Sequence, residues 1–312
     1  MRTLVTGGAG FIGGHLVDAL LARGATVRVL DNFSTGRREN LAHNRARIEL
    51  IEDDVRDPAT CARAIRDVDV VFHQAALPSV ARSVEEPVPS DEVNVGGTVK
   101  LLDACRRAGV GRFVFAASSS AYGDTEVLPK VETMIPQPLS PYAVSKLTGE
   151  YYVRVFAQLY GMKTCALRYF NVFGPRQDPN SHYAAVVPKF CTALLDGRSP
   201  TIFGDGGQTR DFTFIENVLE ANLLAATRDV SGQVVNVACG ERISLLELVA
   251  ILNELAGTSI APTHAPGRAG DVRHSLADIR AAHALLGYAP RVTVREGLQR
   301  TLDFYRAARP ST

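Results

Sequence analysis

The sequence predicts an α/β fold: a doubly wound parallel sheet, followed by a smaller mixed α/β C-terminal domain. Three observations lead there. Short β-branched apolar runs alternate with helix-period segments through the first 115 residues. Those runs are apolar at every position rather than at alternate ones, which suits strands covered on both faces. Beyond about residue 172, proline and glycine become frequent ("FGPRQDPN", "GRSPTIFGDGGQTRDF", "THAPGRAGD") and the alternation loosens.

Taken in order, "TLVTG" (3–7) is a strand, and "GFIGGHLVDALLARG" (10–24) is a helix ending on a capping glycine. "TVRVLDN" (26–32), "RIELIEDDV" (47–55), "VDVVFHQAA" (68–76) and "RFVFAAS" (112–118) read as further strands, with helices near 58–66 and 92–108. In the second half, helices are expected near 184–196, 216–228, 244–256 and 296–307. "QVVNVACG" (233–240) is strand-like and can rejoin either sheet. The expected division is 1–172 and 173–312, with a return of the chain to the first domain near 210–240. No internal repeat or low-complexity linker breaks the pattern.

At 46% hydrophobic and 21% charged residues, the 312-residue chain has an ordinary globular composition. Its net charge of +1 gives no general attraction to nucleic acid or anionic lipid. No run approaches the ~18 apolar residues that span a bilayer. The first strand starts at residue 3, so no targeting peptide is expected and the cytoplasm is the expected compartment. The five cysteines are widely spaced, with no CxxC and no histidine at ligand spacing; they read as reduced core residues, and no metal is expected.

"TGGAGFIGGHL" places Gly7, Gly10 and Gly13 between a strand and a helix. The first glycine permits a tight turn, the second lets a pyrophosphate approach the backbone, and the third lets helix and strand pack closely. The phosphates then sit on the N–H groups of the helix start, around Phe11 and Ile12. Asp31, followed by Asn32, ends the second strand about 20 residues on, where a dinucleotide site needs an acid for the ribose hydroxyls. An aspartate there repels a 2′-phosphate and favours NAD over NADP; Arg37 and Arg38 nearby argue the other way. Asp54 and Val55 are placed to meet the adenine, and Ala75 and Ala76 form a small-residue wall beside the cofactor.

"PYAVSKLTGE" (141–150) carries Tyr142 and Lys146 four apart, which stacks them on one helix face. A phenol is a poor base near neutrality. A neighbouring ammonium, together with a positive nicotinamide ring, favours the phenolate. The motifs "TGGAGFIGGHL", "LDN", "FHQAA", "SSSAYG", "SPYAVSK", "RYFNVFGP", "GDGGQTRDF" and "GRAGDVRHSLAD" together resemble the extended short-chain dehydrogenase/reductase family, with its Rossmann-type domain. Within it they look most similar to the NAD-dependent nucleotide-sugar epimerases.

The resemblance implies that Ser118 bonds the sugar 4-hydroxyl and the forming ketone, that Tyr142 is the base and that Lys146 is its partner. Asn94 and Tyr169 fall at cofactor-side positions. Asn171 matches a donor to the substrate diphosphate, and Pro188–Phe190 and Thr201–Phe203 match segments that clasp uracil and its ribose. Arg210 and Arg268 match arginines on the diphosphate, Asp271 matches a ribose contact, and Ser79, Ser119 and Ser120 line the sugar. Family dehydratases carry an Asp–Glu pair directly after the catalytic Ser/Thr, and decarboxylases keep the Glu. Here those positions are Ser119 and Ser120, which cannot act as carboxylate acid or base, so the resemblance implies 4-epimerisation.

Ser275, a small residue where bulkier aromatics restrict the pocket to plain hexoses, implies room for N-acetyl groups as well. Asp178 stands where uronate epimerases carry a carboxylate-binding Arg, and an acid facing a uronate would repel it. The expected substrates are therefore UDP-glucose/UDP-galactose and their N-acetyl forms, with UDP-glucuronate as the alternative. An NAD-binding regulator on the same fold is the non-enzymatic alternative, and such proteins typically lose the Tyr or the Lys. A homodimer is expected through the helices near 92–108 and 143–160.

Overall fold

The computed structural model describes residues 1–180, 185–267 and 272–309. In chain order the first part runs β1 (Arg2–Thr6), α1 (Phe11–Ala22), β2 (Thr26–Asp31), α2 (Glu39–Ala42), β3 (Ile48–Glu52), α3 (Pro58–Ala64) and β4 (Val70–His73). Then come α4 (Val80–Glu85), α5 (Pro87–Asp91), a π-helical stretch (Glu92–Gly97), α6 (Thr98–Ala108), β5 (Arg112–Ser118), α7 (Pro141–Tyr160) and β6 (Lys163–Tyr169). The remainder comprises β7 (Val172–Phe173), α8 (Val186–Leu195), β8 (Thr201–Phe203), β9 (Thr209–Arg210), β10 (Thr213–Phe214), α9 (Ile215–Thr227) and β11 (Gln233–Val237). It closes with β12 (Ile243–Ser244), α10 (Leu245–Ala256), β13 (Thr263–Ala265), α11 (Arg280–Leu286) and α12 (Val294–Ala307).

Seven strands form one sheet in the order β3-β2-β1-β4-β5-β6-β11, every neighbouring pair parallel. Alternate residues of each strand enter two separate cores. Val5, Val29, Phe72, Val114 and Leu167 face Leu16 and Leu20 of α1, Val218 and Ala225 of α9, and Leu286 of α11. Leu4, Leu30, Val71, Phe113 and Ala166 face Cys61 of α3, Leu101 and Cys105 of α6, and Val153 and Phe156 of α7. A third core holds the smaller body, with Phe173, Phe190, Phe212, Phe214, Leu248, Leu298 and Leu302 drawn from α8, α10, α12 and the short strands.

The return strand left open by the sequence is β11, and it joins the large sheet beside β6. Several predicted strands are shorter than their apolar runs. The 68–76 run is a strand only to His73, because Gln74 to Ala76 leave the sheet to form the loop at its edge. The helix expected over 92–108 opens as the π-helical turn containing Gly96 and Gly97. There Gly97 packs so closely on Val55 that a Cβ would lie 2.7 Å from a Val55 methyl.

One buried ion pair fastens α7 to β6. Arg168 Nε and Nη2 donate to the two Glu150 oxygens at 2.9 and 2.7 Å, with the side chains only 4% and 2% exposed. The guanidinium also lies 4.6 Å above the Tyr122 ring. Glu150→Ala strands that guanidinium in the interior, so urea unfolding should show a loss of roughly 3–5 kcal/mol. A loss below about 1 kcal/mol would show that water reaches the pair.

Candidate active site

The glycine turn links β1 to α1 at the carboxyl edge of the sheet. Gly7 has φ +68°, and a Cβ on it would lie 2.7 Å from the Ala75 backbone. A Cβ on Gly13 would lie 2.1 Å from the Gly7 carbonyl oxygen. At Gly10 an added Cβ would meet only that same oxygen, at 3.1 Å, so its other side is open to a ligand. Gly10 is also the N-cap of α1 and offers no side-chain cap, which leaves the N–H groups around Phe11 and Ile12 for an anion. This is a cradle that side chains would fill, and a pyrophosphate fits it.

Asp31 ends β2 at 8% exposure. Its Oδ2 accepts the Ala9 N–H and its Oδ1 the Phe33 N–H, both at 2.8 Å. Burial pushes its carboxyl up, and the two N–H donors hold it down. The arginines that argued for a 2′-phosphate are both engaged. Arg38 grips both Glu52 oxygens and stacks 4.1 Å over Phe33. Arg37 stands between Glu39 (3.5 Å) and Asp178 (3.9 Å). Asp178 therefore has a guanidinium beside it, which offsets the repulsion of a uronate that its sequence position implied. Asn32 donates to Asp54 at 2.8 Å, and Arg56 holds the Asp54 carboxyl down to about 2. Val55 is buried against Gly97.

Beneath the cofactor edge lies a directional chain that sequence reading missed. Thr98 Oγ1 donates to the Asn94 carbonyl at 2.6 Å, so at His73 it must accept, and His73 Nε2 carries the proton (2.8 Å). His73 Nδ1 then accepts from Thr6 Oγ1 at 2.6 Å, and Thr6 in turn accepts the Ala75 N–H at 3.3 Å. Asn94, assigned to the cofactor side, bonds the Leu77 N–H (2.8 Å), the Leu77 carbonyl (3.2 Å) and Ser145 Oγ (3.0 Å). Ser145 donates to the Tyr142 carbonyl at 2.8 Å, so Asn94 braces the start of α7. Tyr169 shares its hydroxyl with Gln74 and Asn222, both at 3.1 Å. The one signal for His73 and Gln74 was their polarity at the end of an apolar run.

Ser118 ends β5 directly opposite Tyr169 of β6. Its Oγ accepts the Ser120 N–H at 3.2 Å and the Ser120 hydroxyl at 2.9 Å. Both lone pairs are thus taken, and the Ser118 proton is left to donate. Burial pushes the Tyr142 phenol up, and the nearby Ser118 hydroxyl pulls it down. Lys146 is 4% exposed, with Nζ donating to the Ala116 carbonyl at 2.8 Å and lying 5.1 Å from the Phe115 ring. Burial lowers its pKa to about 8, against the opposing charge of Glu150. In the polypeptide alone burial of the phenol prevails, and beyond the Ala116 carbonyl Lys146 keeps two further N–H donors.

The remaining residues fall on the smaller body and its border. Asn171 adopts φ +33°, a conformation asparagine tolerates, and donates to the Asp211 carbonyl at 3.0 Å. Arg210 Nη1 donates to the Thr209 carbonyl at 3.0 Å, and the Ser275 N–H donates to the same carbonyl at 3.1 Å. Thr201 is exposed on β8, 3.3 Å from the Thr263 hydroxyl, and Phe203 is half-buried with its carbonyl accepting from Gln208. Pro188 is buried in α8. Phe190 departs from expectation: at 2% exposure its ring belongs to the third core, so only its backbone can meet a nucleoside. Ser79 caps α4 through the Arg82 N–H at 3.0 Å. Arg268 and Asp271 lie outside the described residues. Among the described residues no group of three or more His, Cys, Asp or Glu could hold a metal, and no helix is long and apolar enough to cross a membrane.

A family model described as the NAD dependent epimerase/dehydratase family matches residues 3–238. Over 310 residues the chain is 43% identical to the UDP-glucose 4-epimerase of Mycolicibacterium smegmatis, across 98% of this chain and 99% of that protein. The structure of UDP-glucose 4-epimerase from Thermotoga maritima with UDP-glucose matches with a TM-score of 0.95 at 40% identity, covering 98% of this chain and 99% of that one. The Thermus thermophilus UDP-glucose 4-epimerase in complex with NAD matches at a TM-score of 0.91 and 42% identity, covering 99% of this chain and 100% of that one.

His73 supplies a pH test of this architecture. Burial and the Lys146 charge lower its pKa from 6.5 to about 3, and His15 on α1 is likewise lowered to about 4. Between those values and 6.5 the unfolded chain binds more protons at these two sites, so the stability they contribute is full above 6.5 and is lost as the pH drops. Across pH 6.5 to 4 the two histidines pull the urea midpoint down while Asp211, raised to about 7, pushes it the other way, so comparison with a His73 variant isolates the histidine slope. His73→Asn should flatten that slope by about 1.4 kcal/mol per pH unit; an unchanged slope would place a proton on His73 in the folded state.

Proposed function

The chain belongs to the NAD-dependent epimerase/dehydratase family, and from that premise we propose that it inverts carbon 4 of a UDP-sugar. It interconverts UDP-glucose with UDP-galactose, and UDP-N-acetylglucosamine with its 4-epimer. The observation that carries this is the run Ser118–Ser120 beside Tyr142: three hydroxyls, with no carboxylate to expel water or direct the loss of carbon dioxide. The bound relatives named above support it.

In this reading Tyr142 takes the proton of the 4-hydroxyl. Ser118, its lone pairs filled by Ser120, donates to the sugar oxygen as the carbonyl forms. The cofactor is NAD, held by Gly7, Gly10, Gly13, Asp31, Asn32, Ala75, Ala76 and Lys146, with Asn94 bracing the Leu77 backbone and Tyr169 the Asn222 side chain behind it; when bound it accepts hydride from carbon 4 and returns it to the opposite face. Burial leaves the Tyr142 phenol raised, and a cationic ring bound beside it would favour the phenolate. Asn171, Arg210 and Arg268 hold the diphosphate, because forked cations suit an anion of this kind in a chain of net charge +1. Pro188, the Phe190 backbone, Thr201, Phe203 and Asp271 receive the uridine, and Ser79, Ser119, Ser120 and Ser275 surround the sugar. The seven-stranded part binds the dinucleotide, and the chain from residue 173, apart from its returning strand, binds the nucleotide-sugar.

The active unit in this proposal is a homodimer. Val144, Tyr151, Val155 and Leu159 are exposed along α7, with Val84 and Val88 beside them on α4 and α5. Their spacing makes one apolar stripe along the helix, and a second copy related by a two-fold axis would cover it with the same stripe. Leu159→Glu should halve the mass seen by light scattering, and a wild-type monomer would dispose of the dimer.

Product analysis across UDP-glucose, UDP-N-acetylglucosamine and UDP-glucuronate tests the reaction. The first two should yield 4-epimers with no net NADH formation. Net consumption of NADH, or a dehydrated or decarboxylated product, would overturn the reading. Tyr142→Phe should lower kcat by about a thousandfold or more with NAD still bound.

A further inference from the structure

Asp211 follows Arg210 and is fully buried. Its Oδ1 accepts the Cys239 N–H at 3.0 Å, and its Oδ2 accepts those of Gly240 (3.1 Å) and Ala277 (3.2 Å). Its own carbonyl accepts Asn171 Nδ2 at 3.0 Å. Neighbouring backbone completes the convergence. Thr209 donates to the Arg273 carbonyl and accepts the Ser275 N–H, both at 3.1 Å, and Thr213 donates to the Asn171 carbonyl at 3.2 Å. The side chain therefore ties the end of β11 to the segment preceding α11, while the backbone carbonyl of the same residue holds the turn after β6.

We infer that Asp211 is a positioning residue for substrate: it sets the mutual placement of Arg210, Asn171 and Ser275 and so governs the grip on the nucleoside-diphosphate half, without touching it. This rests on the UDP-sugar reading of the site. A carboxylate suits the role because its two oxygens can serve three N–H donors at once. An amide turns one of those oxygens into a donor facing another N–H. Burying an acid is costly. Despite three donors the carboxyl is raised to about 7, by burial first and with Glu241 adding to it, so a less polar residue would have served packing more cheaply. Tyr142, Ser118 and Lys146 belong to β5 and α7 and share no hydrogen bond with Asp211 among the described residues, so the chemical step should respond less than binding.

Asp211→Asn tests this. KM for UDP-glucose should rise about 10- to 100-fold while kcat stays within about threefold and the NAD content is unchanged. An unchanged KM, or a parallel loss of kcat and NAD, would overturn the inference. Should the variant fail to fold, amide exchange in the wild-type holoenzyme decides, with UDP as the probe. UDP should slow exchange in 209–213, 238–240 and 275–277 together; protection of 209–213 alone would overturn the inference. A wild-type protein that binds UDP but forms no 4-epimer from any UDP-sugar would instead defeat the epimerase reading, leaving the exchange result to stand or fall by itself.

Discussion

Parallel strands cannot be joined by hairpins, so six crossovers link the seven strands here, and all the strands end at one edge. That edge collects Gly7 after β1, Asp31 at the end of β2, Gln74–Ala76 after β4, Ser118 at the end of β5 and Asn171 after β6. The order reverses beside β1, which opens the crevice where such sheets bind ligands. Bringing so many chain ends together is possible only where backbone can touch backbone. The glycine turn meets that demand: its approach to Ala75 leaves no room for a side chain.

Burial at this edge sets the chemistry. Tyr142 is raised, Lys146 and His73 are lowered, and Asp31 and Asp211 are raised, each chiefly because charge is costly away from water. The polypeptide alone thus holds the Tyr142 phenol protonated near neutrality. Under the proposed reaction, a cationic ring bound beside it would favour the phenolate.

The large sheet was legible because its strands are apolar on both faces and its helices keep their period; the glycine spacing and the Tyr142–Lys146 pair were legible because they are local. What escaped has a common cause: His73, Gln74, Asn222 and Asp211 act through partners far away in sequence. His73 joins Thr6 to Thr98, and Asp211 joins Asn171 to Ala277. A motif position likewise marks a segment but not which way its side chain points: the Phe190 ring turns into the third core. The return of β11 to the first sheet depended on a pairing with β6 that no local pattern encodes.

Ser120 has implications for how reactions diverge on this scaffold. Its hydroxyl supplies a proton to Ser118, and that bond fixes Ser118 as a donor. A glutamate in its place would accept where the serine gives, so the Ser118 hydroxyl would turn toward it. Moving from epimerisation toward elimination or decarboxylation therefore requires more than adding a carboxylate. The hydrogen bonds between Ser118 and Ser120 would have to adjust with it.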